Sequence, residues 1–428
     1  MPTIADPLTL PCGAMLKNRL CKAAMTEGLA EPNGYPSEAL IKLYEVWGAG
    51  GCGLLLTGNV QVDADHLERP GNVIIDREPD DALQHLLKRW ASAAKANGSA
   101  LWAQISHAGR QTQKIVNAHP KAPSAVKLGL PGGQFGEPVA LTIEEIQVLV
   151  ERFAVCAKAL QAAGFDGIQI HSAHGYLLSQ FLSPRSNQRD DNYGGSLENR
   201  ARMLLEIVAA VRDATGPGFP IGVKLNSADF QQGGFAFEDS LQVARWLQDA
   251  GVDLLEVSGG TYEQPKLIGV EGIEPVAEQA VKQTTRAREA YFVDFALAMR
   301  EQLTIPVMVT GGLRRKDAMD QALSSASADM VGIGRPMCVM HDAAQRLLNG
   351  LAELPRYENT LSLLPPWLKF LNGIKLIQTL ATFSTMYWFY GQIAAIGRTG
   401  KPDDQLTVFK ASKQVMTEAK QWLKARRG

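Results

Sequence analysis

Eight times along this chain a short apolar run is followed by a polar or glycine-rich turn and then a helical pattern, and nothing else in the sequence constrains the fold as tightly. The runs are Arg19–Ala24, Gly53–Leu56, Ala100–Ile105, Gly167–Ile170, Ile221–Leu225, Leu254–Val257, Val307–Val309 and Met330–Ile333. Between them, apolar residues return at helical spacing. In Thr142–Ala163 the stripe is Ile146, Leu149, Val150, Phe153, Ala157 and Leu160, and Thr142-Ile143-Glu144-Glu145 reads as a capping box. Helices are also predicted over Pro79–Ala96, Ser196–Thr215, Phe237–Ala250 and Arg286–Gln302.

Alternating strands and helices require parallel pairing, because each return path must cross a face of the sheet. Eight such units either close into a barrel or form an open doubly wound sheet. No G-x-G-x-x-G follows any of the runs, so the open dinucleotide-binding sheet lacks its marker. The expected fold is α/β, an eight-stranded (β/α)8 TIM barrel. A short N-terminal β-hairpin over Leu8–Leu16, turning at Pro11-Cys12-Gly13, is expected to close its floor. Gln111–Pro138 reads as a long loop over the mouth. The repeat stops at Pro355, which divides the chain into a barrel, 1–355, and a helical C-terminal extension, 356–428, packed on the barrel or at a subunit interface.

Such a barrel carries its chemistry where the strands end. Those positions hold Met25-Thr26, Thr57-Gly58-Asn59, Gln104 with His107-Ala108-Gly109-Arg110, His171-Ser172-Ala173-His174-Gly175-Tyr176, Lys224 to Asn226, Ser258-Gly259-Gly260, Thr310-Gly311-Gly312 and Gly334-Arg335. Glycines after the seventh and eighth runs suit phosphate, which bare backbone amides can approach, and Arg335 adds a permanent cation; tight turns would account for the same glycines. His171 and His174 are three residues apart, so one helical turn would aim both rings at one point. There they could donate to an oxygen gaining negative charge, ligate zinc or serve as satisfied structural residues. Tyr176 offers a phenolic proton. Lys224 is either a cation facing a bound ring or a strand-end lysine paired to a carboxylate. Gln104 offers both donor and acceptor, and Thr26 offers a hydroxyl.

Composition closes several other routes. The 43 basic and 44 acidic side chains leave a net charge of -1, with no basic stripe for nucleic acid. The five cysteines form no C-x-x-C pair, which argues against a disulfide framework, a structural zinc or a cysteine-held iron–sulfur cluster. Leu376–Gly397 has no charged side chain, but Gln378, Thr379, Thr382, Ser384, Thr385 and Gln392 interrupt it, so a buried or interface helix is expected rather than a membrane span. Seven aromatic residues, Trp367, Phe370, Phe383, Tyr387, Trp388, Phe389 and Tyr390, make the extension too apolar to stay in water. The N-terminus lacks a secretion signal, so a cytoplasmic protein is expected.

From about Leu8 to about Arg346 the sequence resembles the Old Yellow Enzyme family. The likeness rests on His171-Ser172-Ala173-His174-Gly175-Tyr176-Leu177-Leu178-Ser179-Gln180-Phe181-Leu182-Ser183-Pro184 and on Tyr193-Gly194-Gly195-Ser196-Leu197-Glu198-Asn199-Arg200. Leu16-Lys17-Asn18-Arg19, His107-Ala108-Gly109-Arg110 and Gly332-Ile333-Gly334-Arg335 match further family positions.

The resemblance implies FMN at the strand ends, reduced by NADH or NADPH. It implies that Ala23, Ala24, Met25 and Thr26 line one side of the flavin, that Gly58, Gln104 and Lys224 contact its ring, and that Gly312, Gly334 and Arg335 hold the phosphate. It further implies that His171 and His174 hold the substrate oxygen while Tyr176 protonates carbon. The histidine pair, rather than histidine with asparagine, is one of the family's two variants. Lys224 stands where arginine is more usual, Thr26 where one branch has cysteine, and Gly28 where some relatives have an aromatic. The function implied is reduction of an activated alkene. Alternatives are a quinone or xenobiotic reductase of the same family, a barrel flavoprotein acting on RNA, which the charge disfavours, and a non-catalytic flavin-binding barrel. The expected partner is a small-molecule substrate, with no nucleic acid or membrane, and a homo-oligomer is open.

Overall fold

A computed structural model of the 428-residue chain describes residues 1–130, 133–258, 295–364 and 375–428, the side chains of 375–383 excepted. Gly259, Gly260, Trp367, Phe370, the Phe383 side chain and residues 286–294 of the predicted helix Arg286–Gln302 lie outside the described residues.

The eight expected strands form one closed ring: β1 (Leu20–Lys22), β2 (Leu54–Gln61), β3 (Ala100–Ser106), β4 (Gly167–Ser172), β5 (Ile221–Asn226), β6 (Leu254–Ser258), β7 (Val307–Thr310) and β8 (Met330–Ile333). Every neighbouring pair is parallel, and β8 returns to β1 through Val331 opposite Leu20. The fold is a (β/α)8 barrel. Leu8–Thr9 and Met15–Leu16 form the antiparallel N-terminal hairpin.

Strand alternation sorts each run into two environments. Ile168, Ile170, Val223, Leu225, Leu255, Val257, Val307 and Val309 belong to the core between sheet and helices. Cys21, Leu54, Leu56, Trp102, Leu254, Met308 and Met330 form a second cluster inside the ring, plugged from below by Leu8, Leu10 and Leu16 of the hairpin. Trp102 fills this floor because its neighbours lack side chains. A Cβ on Gly167 would lie 2.6 Å from its indole nitrogen, and one on Gly222 would lie 3.0 Å from its ring. Toward the other end the same inward positions become polar: Gln104 and Ser106 on β3, Gln169 and His171 on β4, Lys224 and Asn226 on β5, Glu256 and Ser258 on β6.

The barrel floor has a recurring tie. An aspartate just before β4, β6 and β8 accepts an N–H from the start of the preceding strand: Asp166 from Leu101, Asp253 from Ile221 and Asp329 from Val307, each at 2.9 Å.

One cation points outward instead. Lys22 is fully buried between β1 and α1 (Glu38–Gly48), its Nζ 2.7 Å from Leu56 O, 3.2 Å from Tyr44 Oη and 4.2 Å from the Trp47 ring centroid. Tyr44 in turn hydrogen-bonds Glu27. Burial pushes the ammonium pKa down, and the nearby Glu27 charge opposes that. Removing it would strand Glu27, so Lys22→Met is expected to destabilise the fold by about 3–5 kcal/mol, read as a lower urea midpoint. An unchanged midpoint would contradict this assignment.

Two segments differ from expectation. Thr57-Gly58-Asn59 continue β2 rather than ending it, with an irregular register between Leu56 and Asn59 against β3; a bulge keeps the strand paired while re-aiming its side chains. Lys121–Ala122 of the long loop pairs in parallel with Val139–Ala140, just beyond its end.

The extension contains α9 (Lys375–Thr399) and α10 (Val408–Arg427), the preceding helices being α2 (Asp81–Lys95), α3 (Ile143–Ala162), the short α4 (Leu177–Leu182), α5 (Leu197–Thr215), α6 (Phe237–Asp249), α7 (Lys316–Ser324) and α8 (Ala343–Leu348). Trp388, Phe389 and Ile393 are buried in the same cluster as the α1 side chains. Among the described residues, no helix is long and apolar enough to cross a membrane.

Candidate active site

The site is built from the carboxyl ends of the parallel strands. His171 is the penultimate residue of β4, directly beside Lys224 of β5 in the ladder. His174 follows in the turn before α4, with φ at 60°, the left-handed region that few side chains enter. Its amide donates to Asn226 Oδ1 at 3.1 Å, which helps to hold that turn. The rings therefore meet through a strand end and a left-handed turn, not through the single helical turn that the spacing suggested.

His171 Nε2 and His174 Nδ1 are 3.2 Å apart. His171 Nδ1 faces Asn59 Oδ1 at 3.0 Å, and His174 Nε2 faces Ser258 Oγ at 2.6 Å. Tyr176 is buried, its ring 4.7 Å from that of His171. Burial, then the proximity of His174 and the Lys224 charge, depresses the His171 pKa well below the usual imidazole range. Burial and Lys224 push His174 down to about 3. Both rings are thus neutral at ordinary pH. Each carries one N–H and one lone pair.

Lys224 lies 3.0 Å from Glu256, and both are buried. Glu256 also accepts from Gln169 Nε2 at 2.7 Å, and Gln169 accepts from Gln104 Nε2 at 2.6 Å. Gln104 and Lys224 are thus linked across the ring interior, by way of two residues that the sequence reading passed over. Glu256 and Gln169 were hidden inside apolar runs, detectable only as polar letters at inward positions of strands. The lysine is a paired cation, and Glu256 balances its charge.

Ala23, Ala24, Met25 and Thr26 follow β1. Thr26 Oγ1 donates to Glu68 at 2.7 Å. Gly58 N donates to Glu27 Oε1 at 2.7 Å, and a Cβ there would lie 2.2 Å from Glu27 Oε2. Glycine is needed at this position, but its amide already has a partner in the chain.

After β7, Gly311 and Gly312 have φ of 110° and 81°, conformations that favour glycine. A Cβ built on Gly311 or Gly334 would meet nothing within 4 Å. Arg335 and Arg314 both reach Glu358 Oε1, at 3.3 and 3.4 Å. This corner already holds a carboxylate between two guanidiniums. Arg314 and Glu358 went unnoticed in the sequence, the first within Gly-Gly-Leu-Arg-Arg and the second beyond the repeat.

Asp63, His66 and His107 bring ligand atoms within 4.8 Å of one another. Lys121 N donates to His66 Nε2 at 2.8 Å and Gly109 N to His107 Nδ1 at 3.1 Å, so the ring nitrogens facing Asp63 carry the protons. Arg152 also binds Asp63, at 2.7 Å. The cluster reads as two imidazoles and a guanidinium gathered around one carboxylate, not as a metal centre.

Comparison with known proteins agrees with this architecture. The family model of the NADH:flavin oxidoreductase / NADH oxidase family matches residues 4–353. A Talaromyces variabilis NADH-dependent flavin oxidoreductase is 34% identical over 419 residues, 93% of this chain and 99% of that protein. A Neonectria NADH-dependent flavin oxidoreductase is 38% identical over 349 residues, 78% of this chain; the match spans 45% of that longer relative. Among solved structures, morphinone reductase superposes with a TM-score of 0.67 at 26% identity, covering 83% of this chain and 91% of its own. The chain belongs to the NADH:flavin oxidoreductase / NADH oxidase family, the FMN-dependent barrel enzymes of the Old Yellow Enzyme type.

Proposed function

We propose that this chain is an FMN-dependent NAD(P)H oxidoreductase whose oxidising substrate is an activated alkene, an α,β-unsaturated carbonyl or nitro compound. The observation that carries this reading is the neutral His171–His174 pair at the strand ends with Tyr176 against it.

The residues present fit FMN. The open glycine corner and the guanidiniums of Arg335 and Arg314, which already bind the Glu358 carboxylate, suit an anionic phosphate. Gly312, Gly334 and Arg335 would hold that phosphate. Ala23, Ala24, Met25, Thr26, Gly58, Gln104 and Lys224 would line the ring. When bound, FMN supplies the hydride taken up by the β-carbon of the alkene.

The chain's own side chains do the rest. An imidazole N–H of the His171–His174 pair binds the substrate oxygen and stabilises negative charge as it develops there, an effect worth about 3 kcal/mol per donor. A neutral donor holds this role without giving its proton away, and the depressed pKa values keep the rings neutral. Tyr176 delivers the proton to the α-carbon.

The test is anaerobic turnover of 2-cyclohexenone by FMN-loaded protein with NADH or NADPH. One cyclohexanone per nicotinamide oxidised is expected. No cyclohexanone from protein whose flavin the nicotinamide does reduce would end the reading.

A further inference from the structure

Where the extension begins, the chain folds back over the glycine corner. Lys316 N donates to Ala352 O and Leu354 N to Arg314 O, each at 2.9 Å, and Arg315 bridges Glu353 in antiparallel sense. The segment is thereby fixed to the chain leaving Gly311-Gly312. The turn Tyr357–Asn359 follows, braced by the Tyr357 ring 6.3 Å from that of Trp388 on α9. It sets Glu358 between two cations, Arg314 at 3.4 Å and Arg335 at 3.3 Å.

The two arginines are not equivalent. Arg314 is 5% exposed; burial disfavours its charge, and the Glu358 carboxylate offsets that. Arg335 keeps 42% of its side chain exposed and is free to turn. Glu358 is therefore first the counter-ion of a buried arginine, which is costly to leave alone, and only second the partner of Arg335. The neighbouring Arg356 is paired with Glu353 at 3.5 Å. Two guanidiniums and one carboxylate leave this corner with one net positive charge. A phosphate monoester such as that of FMN brings about two negative charges at neutral pH.

We propose that Glu358, supplied by the C-terminal extension, sets how tightly the barrel keeps FMN: it neutralises Arg314 and repels the phosphate that Arg335 holds. The inference rests on the phosphate corner proposed above. Removing the carboxylate's charge strengthens the hold on FMN, and removing the Arg314 charge weakens it. Riboflavin, which has the same ring and ribityl chain but no phosphate, responds to neither. One charge beside a phosphate in a partly exposed corner is worth about a tenfold change in affinity.

The experiment titrates the flavin-stripped full-length protein with FMN and with riboflavin at one ionic strength, read by flavin fluorescence. In Glu358→Gln, whose amide oxygen can still accept from Arg314, the FMN Kd should fall about tenfold while the riboflavin Kd stays unchanged. In Arg314→Gln the FMN Kd should rise by a similar factor, and the double variant should return to the wild-type value. A structural lesion would weaken both flavins together, so a change confined to FMN separates charge from folding. An unchanged or smaller preference for FMN over riboflavin in Glu358→Gln overturns the proposal. Should that variant fail to fold, Arg314→Gln decides in its place, and a preference equal to wild type overturns the proposal. Arg335→Gln tests the corner itself and should remove most of the preference. If the preference survives there, the phosphate lies elsewhere and both readings end. If it collapses there while Glu358→Gln changes nothing, only the role of Glu358 is lost.

Discussion

His174→Ala is expected to lower kcat/KM for 2-cyclohexenone by about two to three orders of magnitude, the usual cost of deleting one donor to a developing oxyanion. The loss should appear mainly in turnover with the enone and little in reduction of the flavin by nicotinamide. His174→Asn should retain most activity, for two independent reasons. An amide offers an N–H donor where the imidazole had one, and asparagine tolerates the left-handed φ of 60° that position 174 requires. Alanine fails on both counts. The rate should not follow an imidazole titration between pH 5 and 8, because burial and Lys224 push His174 down to about 3. Stability should respond instead. A histidine whose folded pKa lies below its unfolded value, 6.5, stabilises the fold fully above that value and progressively less as the pH falls toward 3. An enone rate in His174→Ala within a few fold of wild type would remove the ring from the reaction.

Tyr176→Phe is expected to lower enone turnover by about 10²- to 10⁴-fold, the range for a lost general acid. The ring is buried 4.7 Å from His171, and phenylalanine preserves that packing while removing the proton. The substrate class decides where the effect shows. Saturating an alkene requires a proton on carbon, which water delivers slowly. Reducing a quinone requires protons only on oxygen, which exchange with solvent quickly. Quinone reduction should therefore survive the substitution. An equal loss with both acceptors would show that Tyr176 is not the carbon acid, and would favour the quinone-reductase alternative.

The barrel was legible because each β/α unit repeats one physical problem, a strand buried on both faces followed by a helix with one apolar stripe. The run Gly167-Ile168-Gln169-Ile170-His171-Ser172 shows its two faces directly: isoleucines toward the helices, Gln169 and His171 into the ring. The imidazole pair and the glycine–arginine corner were legible as motifs at strand ends. What the sequence concealed were partners distant in the chain. Glu256 pairs Lys224 from the neighbouring strand, and Glu68 meets Thr26 across 42 residues. Glu358 reaches Arg314 from beyond the repeat. Spacing carries no signal for such contacts, since ring closure brings those residues together. The left-handed turn at His174 was hidden for a different reason. Glycine or asparagine would have announced it, whereas histidine there is held by Asn226 from β5.

The extension shows the same limit. Its aromatic residues announced burial, and Trp388 and Phe389 are buried against the barrel. The polar ties that orient it were unreadable: Trp422 Nε1 to Ala30 O at 2.8 Å, and Arg426 to Pro32 O and Ala64 O at 2.9 and 3.2 Å. They hold α10 against the loops that follow β1 and β2, next to Thr26 and Glu68.

We propose that one end of the barrel gathers Gln104, Lys224, His171, His174 and Arg335 around a single FMN. A crystal structure of the FMN-loaded protein tests it most directly. The phosphate is expected on Gly312, Gly334 and Arg335, the ring edge on Gln104 and Lys224, and the face opposite the floor turned to His171, His174 and Tyr176. Flavin density at any other place in the fold, or a phosphate held without Arg335, would contradict it.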